Sequence, residues 1–278
     1  MNTWQTGEVE TNGIRIHYTR TGGGKPPLVL AHGVTDSGLC WSPLAEAFAA
    51  DYDVIMVDAR GHGLSETTEG GYDPATQAED LAGLITALGS QKPAVLGHSM
   101  GAATALVLAG RHPDLPGAIL LEDPPAWWTD WYETPEAGDR VAGMREQAIA
   151  RKQMTREALI GDQRGRQPGW SDAELEPWAD AKQQVSLNVL SVFGRDNPRS
   201  LDWPTTLRRI TCPILLIVSD PELGGIVTAE SAAALQEMVP QTEVVHIPEA
   251  GHNIRRDQFD RYIEVVRGFL ANQSSGVA

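Results

Sequence analysis

Cysteine is scarce in this chain, and so is positive charge. Only Cys40 and Cys212 occur in 278 residues, too few for a disulfide framework, so both read as buried thiols. Lysine and arginine number 22 against 37 acidic residues, a formal net charge of −15. That balance argues against nucleic acid and anionic membrane surfaces as partners, because both need a basic face. It says little about a neutral small-molecule substrate. Long hydrophobic runs are missing too: the longest reach about five to eight residues, where a membrane helix needs roughly 20. Met1-Asn2-Thr3-Trp4-Gln5 lacks the charged-then-apolar pattern of a secretory signal, so the cytoplasm is the expected compartment. No internal repeat or low-complexity segment is evident.

What is there is an alternation of short apolar runs with helical patterns. Residues 8 to 19 alternate about Asn12-Gly13, a hairpin signal, and should open the sheet with two antiparallel strands. Pro27-Leu28-Val29-Leu30-Ala31 and Val54-Ile55-Met56-Val57-Asp58 have the continuous apolar character of strands buried on both faces. Pro93-Ala94-Val95-Leu96, Gly117-Ala118-Ile119-Leu120-Leu121, Pro213-Ile214-Leu215-Leu216-Ile217-Val218 and Glu243-Val244-Val245-His246-Ile247 continue the series. Helices are expected from about 42 to 50, from Asp73-Pro74 onward, near 229 to 238, and from about 257 to 271. The predicted class is α/β, with a mostly parallel eight-stranded sheet covered by helices on both faces. Between about 126 and 206 the alternation stops, leaving helical patches and no convincing strand. Six of the eight tryptophans fall there: Trp127, Trp128, Trp131, Trp170, Trp178 and Trp203. We expect a helical cap at 126–206, inserted into a core domain formed by 1–125 and 207–278.

Gly97-His98-Ser99-Met100-Gly101 stands between an apolar run and the helix-forming run Ala102 to Ala109. A strand, a five-residue turn and a helix are the setting that the nucleophile-elbow pattern G-x-S-x-G requires. So tight a turn holds the serine at positive φ, and only glycine fits two residues to either side. The hydroxyl then stands at the strand's carboxyl end, with the Met100 N–H directed out of the helix N-terminus.

With His32-Gly33, the run Asp58-Ala59-Arg60-Gly61-His62-Gly63-Leu64-Ser65, and Gly251-His252 near the end, this chain resembles the α/β-hydrolase family over essentially its whole length. The resemblance implies Ser99 as nucleophile, His252 as general base, and the N–H groups of Val34 and Met100 as oxyanion donors, with no metal and no cofactor. The triad acid is open between two strand ends. Asp123, 24 residues after Ser99, ends its strand cleanly and sits where some lactonases of the family carry their acid. At the commoner position Ser219-Asp220-Pro221-Glu222 replaces the expected G-x-x-D, which makes Glu222 the alternative and Asp220 the next. Asp123 is favoured, and a carboxylate that supports the histidine loop is the plain reading of the loser.

The remaining histidines carry structural readings: His98 packing locally, His62 in a glycine turn, His246 in a buried strand, and His17 and His112 without an evident partner. Asp36, Trp128, Trp131 and Trp178 are candidates to line the substrate site. The tryptophans serve equally well as the cap's own core. The reaction these residues imply is hydrolysis of a carboxylic ester or lactone, apolar or aromatic in character, through an acyl-enzyme intermediate. Amide or carbon–carbon cleavage and cofactor-free oxidation use the same residue types and stand as alternatives. A non-catalytic receptor of the same fold is disfavoured by the intact serine and histidine. Oligomeric state is not encoded in these motifs.

Overall fold

The computed structural model describes residues 4–129, 135–193 and 201–275. Two strands, β1 (Gln5–Thr11) and β2 (Ile14–Arg20), pair antiparallel from Gln5↔Arg20 to Thr11↔Ile14. Asn12 and Gly13 join them with φ of 47° and 75°, the two positive values that a two-residue hairpin turn needs. The strands β3 (Pro27–Ala31), β4 (Asp53–Val57), β5 (Ala94–His98), β6 (Ala118–Glu122), β7 (Ile214–Val218) and β8 (Thr242–His246) follow. They complete an eight-stranded sheet in the order β1-β2-β4-β3-β5-β6-β7-β8. Only β1/β2 and β2/β4 are antiparallel.

The central parallel strands bury both faces, so their alternate residues feed two separate cores. Val29, Ile55, Val95, Ile119 and Leu216 face one cluster, which takes in helices α2 (Pro74–Ala87) and α3 (Met100–Arg111). Leu28, Met56, Leu96, Leu120 and Leu215 face the other, against α1 (Ser42–Phe48) and the C-terminal residues Tyr262, Val266 and Phe269. A strand that buries side chains on both sides is apolar along its middle, as Leu28-Val29-Leu30, Val54-Ile55-Met56 and Ile119-Leu120-Leu121 are.

Every described element between β6 and β7 is helical: α4 (Pro135–Lys152), α5 (Arg156–Arg166), α6 (Asp172–Gln184), a 3₁₀ stretch at Leu187–Phe193, and α7 (Trp203–Leu207). α7 spans position 206 and puts Trp203 and Leu207 into the main core. A separate small cluster gathers Leu159, Trp170, Leu175 and Trp178 about Cys40. Two more helices, α8 (Ala229–Met238) and α9 (Phe259–Ser275), flank β8. Thr155, Thr228 and Asp73 each accept a hydrogen bond from a first-turn N–H, which places the starts of α5, α8 and α2. Among the described residues, no helix is long and apolar enough to cross a membrane.

The sheet order turns around at β3, which pairs with β4 on one side and β5 on the other. In open α/β sheets the crevice at such a reversal, at the strands' carboxyl ends, is where ligands bind.

Candidate active site

Three carboxyl ends supply the site, and each is strained. Thr35 after β3, Ser99 after β5 and Asp123 after β6 have φ of 66°, 51° and 42°. Positive φ at a non-glycine residue costs energy that the surrounding structure must sustain, and such outliers concentrate at functional sites. The elbow shows why glycine flanks the serine. A Cβ on Gly97 would meet the Gly101 carbonyl oxygen at 2.3 Å, and one on Gly101 would meet the Ala31 carbonyl oxygen at 2.1 Å. Both obstacles are backbone, so neither can swing aside. The Ser99 N–H donates to the Glu122 carbonyl at 2.9 Å, which ties the elbow to the end of β6.

His252 lies in the loop between β8 and a helical turn at Ile254–Asp257. Its Nδ1 is 2.6 Å from Asp123 Oδ2. A carboxylate accepts, so Nδ1 carries the proton and Nε2 is left as the basic nitrogen. Asp123 is fully buried, and its oxygens also accept the N–H groups of Ile226 (3.0 and 2.9 Å) and Val227 (3.0 Å). Three donors, one of them shared between the two oxygens, fix one carboxylate. The alternatives lie elsewhere: Glu222 is exposed in the turn Pro221–Leu223. Asp220 accepts from His246 Nε2 at 2.6 Å and from the Glu249 N–H at 2.8 Å, bracing the loop that carries the histidine. His246, expected in a buried strand, is instead exposed, because β8 is the sheet's edge. His17 and His112 have partners the sequence did not reveal, Asp58 at 2.9 Å and Glu79 at 3.1 Å.

Ser99, His252, Val34 and Asp36 line one cavity of about 280 Å³, at the small end for ligand sites. Trp170 and Trp178 line it too while belonging to the small helical cluster, so pocket wall and local core are the same residues here. Trp128 does not line it: it is buried in the main core, and its indole N–H donates to the Ser231 carbonyl at 2.9 Å. Trp131 lies outside the described residues. Met100 opens α3 directly after Ser99.

The loop bearing Val34 is braced by two buried histidines and one lysine. His62 Nδ1 donates to the Arg60 carbonyl at 2.8 Å, which leaves Nε2 to accept the Thr35 N–H at 3.3 Å. His32 Nδ1 donates to the Gly33 carbonyl and Nε2 accepts the Ala59 N–H at 3.0 Å. Burial, reinforced by His32, holds His62 down to about 3. Burial also lowers His32, so each ring is neutral and can accept. Lys182 of α6 donates to the Thr35 carbonyl at 2.8 Å and to Asp36 Oδ1 at 2.7 Å. Burial alone would raise the Asp36 carboxyl, yet Arg256, Lys182 and Arg255 hold it well below the usual carboxylate range. Asp36 is therefore an ionised, fully occupied anchor for the loop.

His98 has a positioning geometry that the motif alone did not show. Its Nε2 donates to the His252 carbonyl at 2.9 Å, and the two rings lie 4.7 Å apart. Burial and then His252 push it well below the ordinary histidine range, which keeps a second positive charge away from His252. Lys182, Arg151 and Arg256 also line the cavity and went unnoticed in the sequence. The one local signal was the Arg255-Arg256 pair three residues past His252.

A family model described as the alpha/beta hydrolase fold matches residues 26–255. N-formylmaleamate deformylase from Pseudomonas putida is 29% identical over 277 residues, covering 95% of this chain and 96% of its own. 2-(Acetamidomethylene)succinate hydrolase from Mesorhizobium japonicum is 28% identical over 269 residues, covering 94% of each. The crystal structure of E-2-(acetamidomethylene)succinate hydrolase superposes with a TM-score of 0.80 at 24% identity, over 96% of this chain and 99% of that one. On the sheet order, the elbow and a match over most of its length, the chain belongs to the alpha/beta hydrolase fold family.

Proposed function

We propose that this enzyme hydrolyses a carboxylic ester or lactone through an acyl-enzyme on Ser99. The observation that carries the reading is the buried Asp123 carboxylate 2.6 Å from His252 Nδ1, in a pair whose histidine shares one cavity with Ser99. His252 Nε2 takes the serine proton as Oγ attacks the carbonyl carbon. The N–H groups of Val34 and Met100 receive the oxyanion, and the protonated imidazole gives its proton to the leaving group. Water, deprotonated by the same nitrogen, then releases the acid. Asp123 holds the tautomer and stabilises the imidazolium. Each step uses side chains and backbone of this chain and calls for no cofactor.

A second reading, cleavage of an N-acyl bond, is favoured by the two full-length relatives, whose names specify an N-formyl and an acetamido substrate. The same residues serve it, with the imidazolium protonating a poorer leaving group. Steady-state kinetics on matched aryl esters, lactones and N-formyl or N-acetyl compounds separates the two. Ser99→Ala should fold as the wild type and lose at least about three orders of magnitude in kcat on whichever class is cleaved. Activity within tenfold of wild type would remove Ser99 from the reaction.

A further inference from the structure

The charges that face the cavity do not cancel. Arg151 at the end of α4, Lys182 on α6 and Arg256 in the turn after His252 all line the same space as Ser99. Two of these cations are committed. Lys182 pairs with Asp36, and Arg256 pairs with Glu174 at 2.9 Å and with Asp36 at 3.1 Å. Behind them Arg255 pairs with Glu122 at 3.2 Å. Three carboxylates thus meet three cations in a closed buried group.

Arg151 stands outside that group. The charged groups that bear on it are Arg166, Asp162 and Asp36. Asp162 is taken by Arg166 at 2.9 Å, and Asp36 is saturated by Lys182 and Arg256. Among the described residues no carboxylate forms an ion pair with it. Its guanidinium instead lies over the Trp178 ring, 5.1 Å from the centroid, with Lys182 Nζ 5.0 Å from the same ring. The indole holds the guanidinium in place without neutralising it. Burial pushes Arg151 below the ordinary guanidinium range, the direction expected of a cation that lacks a counter-ion.

We propose that Arg151, stacked on Trp178 and unpaired in the cavity of Ser99, binds a free carboxylate on the substrate. The substrate class is then a compact acyl compound whose acid portion carries a second, ionised carboxyl group. A planar guanidinium offers that group two parallel N–H donors, and a small cavity leaves little room for a long neutral chain. In a protein of net charge −15, an uncompensated cation lining the same cavity as Ser99 is a specific feature rather than part of a general basic field. Which bond is cleaved rests on the proposed role of Ser99, whereas the anion site rests on Arg151 and its surroundings alone.

The test compares mono-4-nitrophenyl succinate with its methyl ester, identical but for the negative charge, on wild type, Arg151→Met and Arg151→Lys. The wild type should prefer the charged ester by about tenfold or more in kcat/KM, as a charge-assisted pair allows. Arg151→Met should abolish that ratio, and Arg151→Lys should restore part of it. Calorimetric titration of Ser99→Ala with monomethyl succinate reads the anion site without turnover. Adding Arg151→Met to that variant should weaken binding at least about tenfold. Turnover of both esters with equal kcat/KM would overturn the carboxylate site and leave Ser99 as nucleophile. Arg151-dependent binding without turnover of either ester would keep the site and overturn the ester reading of the reaction at Ser99. Absence of both turnover preference and Arg151-dependent binding overturns the site.

Discussion

The carboxyl ends of β6 and β7 each carry an aspartate that holds a histidine at 2.6 Å. One pair is Asp123 with His252, the other Asp220 with His246. By distance alone they are equivalent. Their surroundings separate them. The Asp123 side chain is 0% exposed and saturated by two backbone N–H groups, and its histidine faces the cavity. In the second pair the aspartate is 26% and the histidine 52% exposed, and the pair sits at the sheet edge. A short contact in water is screened and contributes little, whereas a carboxylate without water acts at full strength on the ring it touches. Burial and direction, not separation, tell the two pairs apart and single out Asp123 as the proposed orienting acid.

The sharpest way to break this distinction is to neutralise each aspartate in turn. Asp123→Asn should lower kcat by about four orders of magnitude, because His252 then loses both its tautomer and the support of its imidazolium. Kinetics on a confirmed substrate, with thermal unfolding to verify the fold, reads this out. A loss under about tenfold would place the acid elsewhere.

The next effect falls on the loop that carries Val34. Lys182→Met leaves the Thr35 carbonyl and part of Asp36 without a buried donor, and breaking such a pair typically costs about 3–5 kcal/mol. Urea denaturation should show it. A change below about 1 kcal/mol would contradict the anchoring role of this cation.

Acid should weaken the same braced region. His62 is held near 3, and His32 and His98 are also lowered, all three chiefly by burial. In the unfolded chain each takes a proton below about 6.5, while in the fold His62 does so only near 3 and His32 and His98 only at a lower pH than when unfolded. Their contribution to stability is therefore complete above about pH 6.5 and is lost as the pH falls. The slope is of order 1 kcal/mol per pH unit for each histidine once the unfolded chain is protonated. Denaturant midpoints at pH 7 and pH 5 should differ accordingly, and equal midpoints would mean that these rings accept protons in the fold.

The smallest effect belongs to the exposed pair. Asp220→Asn should keep kcat/KM within about tenfold of wild type, since an exposed ion pair contributes little. A loss matching that of Asp123→Asn would erase the difference between the two strand ends.

The strands and the elbow were legible because their causes are local. Apolar runs of five residues, Asn12-Gly13 at a two-residue turn and glycines at 97 and 101 each state a short-range steric or burial requirement. Asp123 was legible only as one of three candidates beside Glu222 and Asp220, since choosing between strand ends requires knowing which carboxylate meets His252. Trp128, open in sequence between pocket wall and cap core, lies in the main core, and His246, expected to be buried, is exposed, because neither sheet-edge position nor the company of a tryptophan is written in its neighbours. Lys182 and Arg151 were invisible for a deeper reason. On a polar helix a charged residue looks like a solvated face, and only the closure of α4 and α6 over the cavity makes it an interior cation.

The central claim is that Ser99, His252 and Asp123 act as one unit, and reaction with a fluorophosphonate tests it most directly. Intact-mass and peptide mass spectrometry should find a single adduct on Ser99, absent in Ser99→Ala. Its formation should slow by at least about a hundredfold in Asp123→Asn and stay near the wild-type rate in Asp220→Asn. An adduct on another residue, or an Asp123→Asn protein labelled as fast as wild type, would contradict the account.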